Sequence, residues 1–327
     1  MSSIRSQKLN AASLKFLVKG FLLTKQQEAR SPRTVEDYSE NLERFLWYAD
    51  RRSWPDNVRE ISQWHIREFL GYVANEINRW DSDTLPARCP ASQSTVHHYY
   101  RVLRSFFNWI VTEGFMGQSP VAKVKVVSPK PKVIQPYSPE EVKAMVKVCD
   151  YDYANGRQFL GARNRVIVLV LYDAGVRLGE LANMKLEDIN EANGWIRILG
   201  KGAKERLAGI EETAQRALWR YLVHRPESKH GELWLTEEGK PLTPNGIAQV
   251  IKGLKRRAGI TAPGLVHRFR HSFALEFLRI DGNMENLRHL LGHSDLAMTH
   301  RYVSALRAED ALQAHKQASP ANRLGIK

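Results

Sequence analysis

Cysteine is scarce in this chain, with only Cys89 and Cys149 among 327 residues. Their separation lacks the short spacing of a metal site or a redox pair, which excludes a disulfide-stapled scaffold and implies a reducing cytoplasm. Long apolar runs are missing too. The longest, Val166 to Tyr172, is far short of the roughly 20 residues that a membrane helix needs. Near the N-terminus Leu14, Leu17, Val18 and Phe21 recur at helical spacing with Lys15, Lys19 and Lys25 between them, so that segment reads as an amphipathic helix and not a signal peptide. No internal repeat or low-complexity tract is evident. Acidic residues are outnumbered, 35 Asp and Glu against 49 Lys and Arg, for a net charge of +14. Up to Pro136 there are 20 basic and 13 acidic residues, and from Tyr137 onward 29 and 22, so each half carries +7. That balance suits two domains that both touch a polyanion, although a generally basic, soluble surface would show it as well.

What is present organises the chain into two parts. In the first, apolar residues at helical spacing predict four helices: the one just described, one after Ser31-Pro32, one after Ser62 and one after Ser94 that Gly114 stops. The inward residues include Phe45, Phe69, Val73, Ile77, Phe106 and Phe107. Residues 79–92 make a connection longer than such a bundle needs. From 119 to 137, Val-Lys alternation and Pro129, Pro131 and Pro136 read as an interdomain linker. Its Lys123, Lys125, Lys130 and Lys132 could follow a phosphate backbone or simply be solvated. The expected domains are therefore 1–118 and 138–327. The second opens with the capped helix start Ser138-Pro139-Glu140-Glu141. A buried helix follows to Gly175. Strands Trp195 to Leu199 and Arg206 to Ile210 flank the Gly-rich tip Gly200-Lys201-Gly202 and predict a hairpin. Thr243-Pro244 starts a further helix, and the chain is expected to be helical from Leu265 apart from turns at Gly282 and Gly292.

The polar residues of this second part fall in a telling order. Arg177 stands in Gly175-Val176-Arg177-Leu178-Gly179-Glu180, Lys201 on the hairpin tip, His267 to His271 in His-Arg-Phe-Arg-His, then Gly292-His293, then Tyr302. On a helix His267 and Arg270 share a face with His271, leaving Phe269, Phe273 and Phe277 for the core. Two Arg forks from different elements can hold both non-bridging oxygens of a phosphate, which lysine does less well. Arg177 at a helix start would add free backbone N–H groups, whereas taken on its own an arginine there is more often paired on the surface with a residue such as Glu180. A zinc site is not expected, because no third ligand has convincing spacing and the His-Glu-x-x-His pattern is absent. No cofactor is expected either.

Those five motifs resemble the tyrosine recombinase (phage integrase) family, and the helical first half is similar to that family's DNA-binding domain. The resemblance implies a mainly α protein with a small β-sheet, an α+β catalytic domain following a helical DNA-binding bundle. It implies a site-specific recombinase that cuts and rejoins double-stranded DNA without metal, through a covalent 3′-phosphotyrosyl intermediate. The implied site is Arg177, Lys201, His267, Arg270, His293 and Tyr302, with Tyr302 the nucleophile. Lys201 would be the general acid, worth about 10²–10⁴ in rate, with Lys204 on the same turn as its rival and as a further DNA contact. Glu180 would support the Arg177 loop. His271, next to Arg270, would support the residues that touch the phosphate or be structural. Dimers and tetramers on DNA, accessory directionality factors, no membrane, and a cytoplasmic, nucleoid-associated location go with it. A type IB topoisomerase-like relaxing enzyme and a catalytically silent DNA-binding regulator stay open as alternatives.

Overall fold

A computed structural model describes residues 12–77, 80, 90–129, 135–190, 193–200 and 205–292. Lys130, Lys132, Lys201, Lys204, His293 and Tyr302, each expected to touch DNA or take part in the chemistry, lie outside the described residues, as does Cys89. The chain divides into two compact units, Met1–Pro131 and Lys132–Lys327.

The first unit is a helical bundle: α1 (Leu14–Gln27), α2 (Pro32–Arg51), α3 (Gln63–Asn75) and α4 (Gln93–Thr112). Serine starts each helix. Ser13, Ser31, Ser62 and Ser92 accept a backbone N–H of the first turn on their side chains, satisfying a donor that the helix itself leaves open. The fourth start is therefore at Ser92 and not Ser94. Phe21, Phe45, Phe69, Phe106 and Phe107 are fully buried, and edge-to-face pairs such as Phe45–Phe69, with ring centroids 5.1 Å apart, fill the centre. Ile77 departs from expectation. The helix ends at Asn75, so Ile77 falls outside the apolar stripe and is 47 % exposed. Trp80, from the long connection, packs edge-on against Trp47 and Tyr72.

The segment read as a linker is anchored at both ends. Val121 and Val124 are buried in the first core, which leaves Lys123 and Lys125 pointing outward and exposed. At the other end Tyr137 is buried in the second core, where its N–H donates to Ser272 Oγ at 2.7 Å. The Arg268 guanidinium donates to Gln135 O at 2.8 Å and Pro136 O at 2.9 Å, pairs with Glu141 at 2.9 Å and lies 3.9 Å from the Tyr137 ring centroid.

The second unit contains α5 (Pro139–Ala154), α6 (Gln158–Ala174), α7 (Leu178–Ala182), β1 (Ile189–Asn190), β2 (Trp195–Leu199), β3 (Glu205–Gly209), α8 (Glu212–His224), α9 (Pro244–Arg257), α10 (Val266–Ile280) and α11 (Met284–Leu291). Apolar over most of its surface, α6 buries Val166, Ile167, Val170 and Leu171 as the centre of this core. The strands form one antiparallel sheet in the order β1-β2-β3, with Ile196 opposite Ala208 and Ile198 opposite Arg206. Alternation turns Ile196, Ile198 and Ala208 into the core. The helix after Arg177 is short, because Asn183 closes it and a 3₁₀ turn, Leu186–Asp188, takes over. Among the described residues no helix is long and apolar enough to cross a membrane, and no His, Cys, Asp or Glu cluster could hold a metal ion.

Candidate active site

Arg177 owes its place to Gly175. The buried helix α6 ends there in the left-handed conformation, φ +57°, which costs glycine nothing. A Cβ at Gly175 would stand 2.5 Å from the Phe273 ring, so the backbone leading to Arg177 lies directly on α10. Arg270, also on α10, holds that approach. Its Nη1 donates to Gly175 O at 2.8 Å and its Nη2 to Leu291 O at 2.7 Å. Arg270 is thus 4 % exposed, and the two hydrogen bonds named here end on backbone carbonyls. From the sequence, this guanidinium is expected to hold phosphate oxygens. Packing has drawn the helix face inward, and the charge is delivered beside the site with the loop ends fixed to it.

Glu180 is the hub of the other half. Its carboxylate accepts the Arg177 N–H at 2.9 Å, Arg177 Nη1 at 2.6 Å and Arg206 Nη2 at 2.7 Å. Burial pushes this carboxyl up, but the Arg177 amide, the Arg206 charge and the Arg177 guanidinium outweigh it and hold the pKa below the ordinary glutamate value. The backbone amide of Arg177 is therefore occupied, and α7 has five residues. That amide is not among the free N–H groups expected at this helix start. Arg177 itself keeps 37 % of its side-chain surface exposed, against 10 % for Arg206, so it is the more open of the two arginines on Glu180.

His267 lies one turn before Arg270 on α10, at the exposed edge of the same cluster. Enclosure by protein, then the charges of Arg270 and Arg177, push its pKa below the usual histidine value. The imidazole is accordingly neutral near pH 7 and able to accept a proton. The structure thus places Arg177, His267 and Arg270 in one neighbourhood. His271 is half-buried. Two residues that the motifs did not point to are built into this region. Arg206 joins Glu180 to the end of α11, and Arg268, beside His267, faces the other way into residues 135–137. The signal for Arg206 was its phase, since it shares the inward face of β3 with Ala208.

The description of the phage integrase family matches residues 137–309, and that of the phage integrase N-terminal SAM-like domain matches residues 17–114. The chain belongs to the phage integrase family. Members of that family are tyrosine recombinases, enzymes of DNA cleavage and rejoining, and this chain is a site-specific recombinase of that kind. It is 28 % identical to the tyrosine recombinase XerD of Listeria monocytogenes over 89 % of this chain and 93 % of the relative. It is also 28 % identical to the XerC of Lactobacillus delbrueckii subsp. bulgaricus over 85 % and 90 %. In fold it is similar to XerH recombinase bound to a palindromic difH substrate after cleavage, with TM-score 0.70, 20 % identity and coverage of 95 % of this chain and 85 % of the other. A lambda integrase dimer bound to a core site gives TM-score 0.67 at 16 % identity, covering 91 % and 79 %.

Proposed function

We propose that this recombinase works through a covalent 3′-phosphotyrosyl intermediate with Tyr302 as the nucleophile. The Tyr302 phenol oxygen attacks the scissile phosphorus and the bond from phosphorus to the 5′ oxygen breaks. The phenol proton passes to a base, in this reading the neutral His267, and Lys201 protonates the departing 5′ oxygen. Rejoining runs the same steps backward with the 5′ hydroxyl of another strand, so the bond energy is kept and no metal or nucleotide is consumed. Arg177, open to solvent and held from behind by Glu180, takes a non-bridging oxygen. Arg270 contributes charge from the buried side, where a fixed cation needs no reorganisation as the phosphorane forms. His293 donates to the phosphate. The observation that carries this reading is the convergence of Arg177, Arg270 and His267: Arg270 holds Gly175 O at 2.8 Å at the root of the Arg177 loop, His267 lies one turn before it on α10, and desolvation, then both arginines, depress the His267 pKa.

The substrate in this proposal is double-stranded DNA, bound by both +7 halves of the chain and occupied by two and then four protomers, with accessory factors setting direction. Lys123 and Lys125, exposed beside the buried Val121 and Val124, and Lys130, Lys132 and Lys204 serve as phosphate contacts. The reaction takes place in the cytoplasm, at the nucleoid.

The experiment uses duplex fragments spanning the locus that flanks the gene. Wild-type protein should leave an SDS-stable, protease-sensitive adduct on one fragment, undiminished by EDTA. Tyr302→Phe should bind that fragment and leave none. An adduct with the phenylalanine variant, or cleavage that EDTA abolishes and magnesium restores, overturns the mechanism. Binding without any wild-type adduct favours the silent regulator.

A further inference from the structure

Beyond its lysine-bearing tip the β2–β3 hairpin carries a side chain outside the recombinase motifs. Arg206 lies opposite Ile198 in the ladder and is turned inward, where an aliphatic residue would serve the fold. Its planar fork reaches in two directions. Nη2 donates to Glu180 Oε2 at 2.7 Å, on the carboxylate that also holds the amide and guanidinium of Arg177. Nη1 donates to Leu290 O at 2.6 Å, in the last turn of α11. The neighbouring carbonyl of that turn, Leu291 O, is the one bound by Arg270, so two arginines from different elements fix this helix end. Gly292 leaves the room: with φ +62° it closes the helix, and a Cβ there would stand 2.7 Å from Arg206 Cδ. In the chain, His293 follows directly.

Burying a guanidinium is costly, and Arg206 Nε is buried with no hydrogen-bond partner among the described residues, so an apolar residue would stabilise the sheet more simply. What the arginine adds is a rigid tie between three catalytic segments: the hairpin it stands on, the Arg177 loop, and the helix end from which His293 and Tyr302 follow. We infer that Arg206 is a positioning residue for strand cleavage, acting through Glu180 on Arg177 and through Leu290 on the chain that leads to the nucleophile. This rests on the mechanism proposed above. A lysine at 206 could reach one of the two acceptors but has no planar fork to hold both.

The test compares Arg206→Met, Arg206→Lys and, as a control on the same sheet, Arg197→Met, in the full chain. The DNA is the locus fragment on which wild type is trapped, and both its affinity and the adduct rate at saturating DNA are measured. Arg206→Met should lower the rate by about 100-fold, the usual penalty for a displacement on the order of 1 Å, with affinity within about threefold of wild type. Arg206→Lys should recover part of the rate, and Arg197→Met should keep it. Amide hydrogen exchange without DNA gives a reading that does not depend on the chemistry. In Arg206→Met the amides of Arg177 and Gly292 should exchange faster while those of α6 stay protected. A folded Arg206→Met that cleaves at the wild-type rate overturns the inference. So does equal loss of rate and affinity in both Arg206 variants with exchange raised across the whole unit, because that is a purely structural role. If wild type forms no adduct, the mechanism fails on its own, and exchange decides: unchanged protection at Arg177 and Gly292 then overturns the tie.

Discussion

The two units solve the problem of making a core differently. In the first, buried volume is supplied by aromatic rings, and the one polar side chain buried among its described residues is Asn41. In the second, Asp152, Arg163, Glu180, Asp188, Lys255, Arg268 and Arg270 are all buried. Charge withdrawn from water is expensive unless it is fully paired, and aromatic packing shows that this chain can fill a core without it. The difference separates two tasks. The first unit has to hold four helices in place. The second must also pin loop ends to within fractions of an ångström, and a guanidinium fork on a carbonyl or carboxylate does that directionally, which apolar contact does not.

The sharpest break in this contrast is Glu180→Ala. It strands Arg206 beside an alanine, and should cost about 3–5 kcal/mol in denaturant unfolding together with nearly all adduct formation. A loss below about 1 kcal/mol would mean that the buried charges are incidental. Phe69→Ala in the first core should cost a comparable 3–5 kcal/mol, but with a different signature: DNA affinity falls while amide protection in α6 and α10 is unchanged. If protection fell in both units alike, the two cores would not be independent. Gly175→Ala combines left-handed strain with a Cβ driven into the Phe273 ring, together about 2–4 kcal/mol. It should shift the melting temperature and slow cleavage, whereas alanine at Gly71, whose Cβ would meet nothing within 4 Å, should do neither.

The smallest effect is electrostatic. Because the His267 pKa lies below its ordinary value in the folded chain, the unfolded state takes up this proton first as pH falls. The imidazole therefore costs the protein nothing above about pH 6.5 and destabilises it progressively below that. Arg177→Met removes one of the charges responsible, so the His267 pKa should rise, though partial desolvation and Arg270 keep it depressed. An NMR titration of the imidazole follows this directly. A pKa that did not move would show that Arg177 and His267 do not share a field.

Much of this was readable in the residues, for identifiable reasons. The helices α1 to α4, α5 and α9 announce themselves with serine or threonine starts before an apolar stripe, and β2 was bounded as found. Helix α8 went unread because Glu211 precedes it without a side-chain cap, although Ala214, Ala217, Leu218 and Tyr221 carry the right period. Strand β1 has two residues, too few for any alternation to register. In the site, Arg177, His267 and Arg270 were legible because their order is a pattern in sequence. Arg206 was not, since its partners at Glu180 and Leu290 are distant in the chain and its meaning exists only once β3 has chosen which face to bury.

The Arg268 contacts determine where this protein can be cut. A catalytic fragment started at Ser138, where the helix cap and the sequence pattern suggest a boundary, discards Gln135, Pro136 and Tyr137. It would leave an arginine that is 2 % exposed in the whole chain without two of its acceptors and its stacking ring. Beginning the fragment at Lys132, where the second compact unit begins, keeps them. Measured by thermal unfolding, the longer fragment should be more stable by about the 3–5 kcal/mol that a buried aromatic side chain commonly contributes. Gln135, Pro136 and Tyr137, which look like tether in the sequence, would then belong to the body that they lead into.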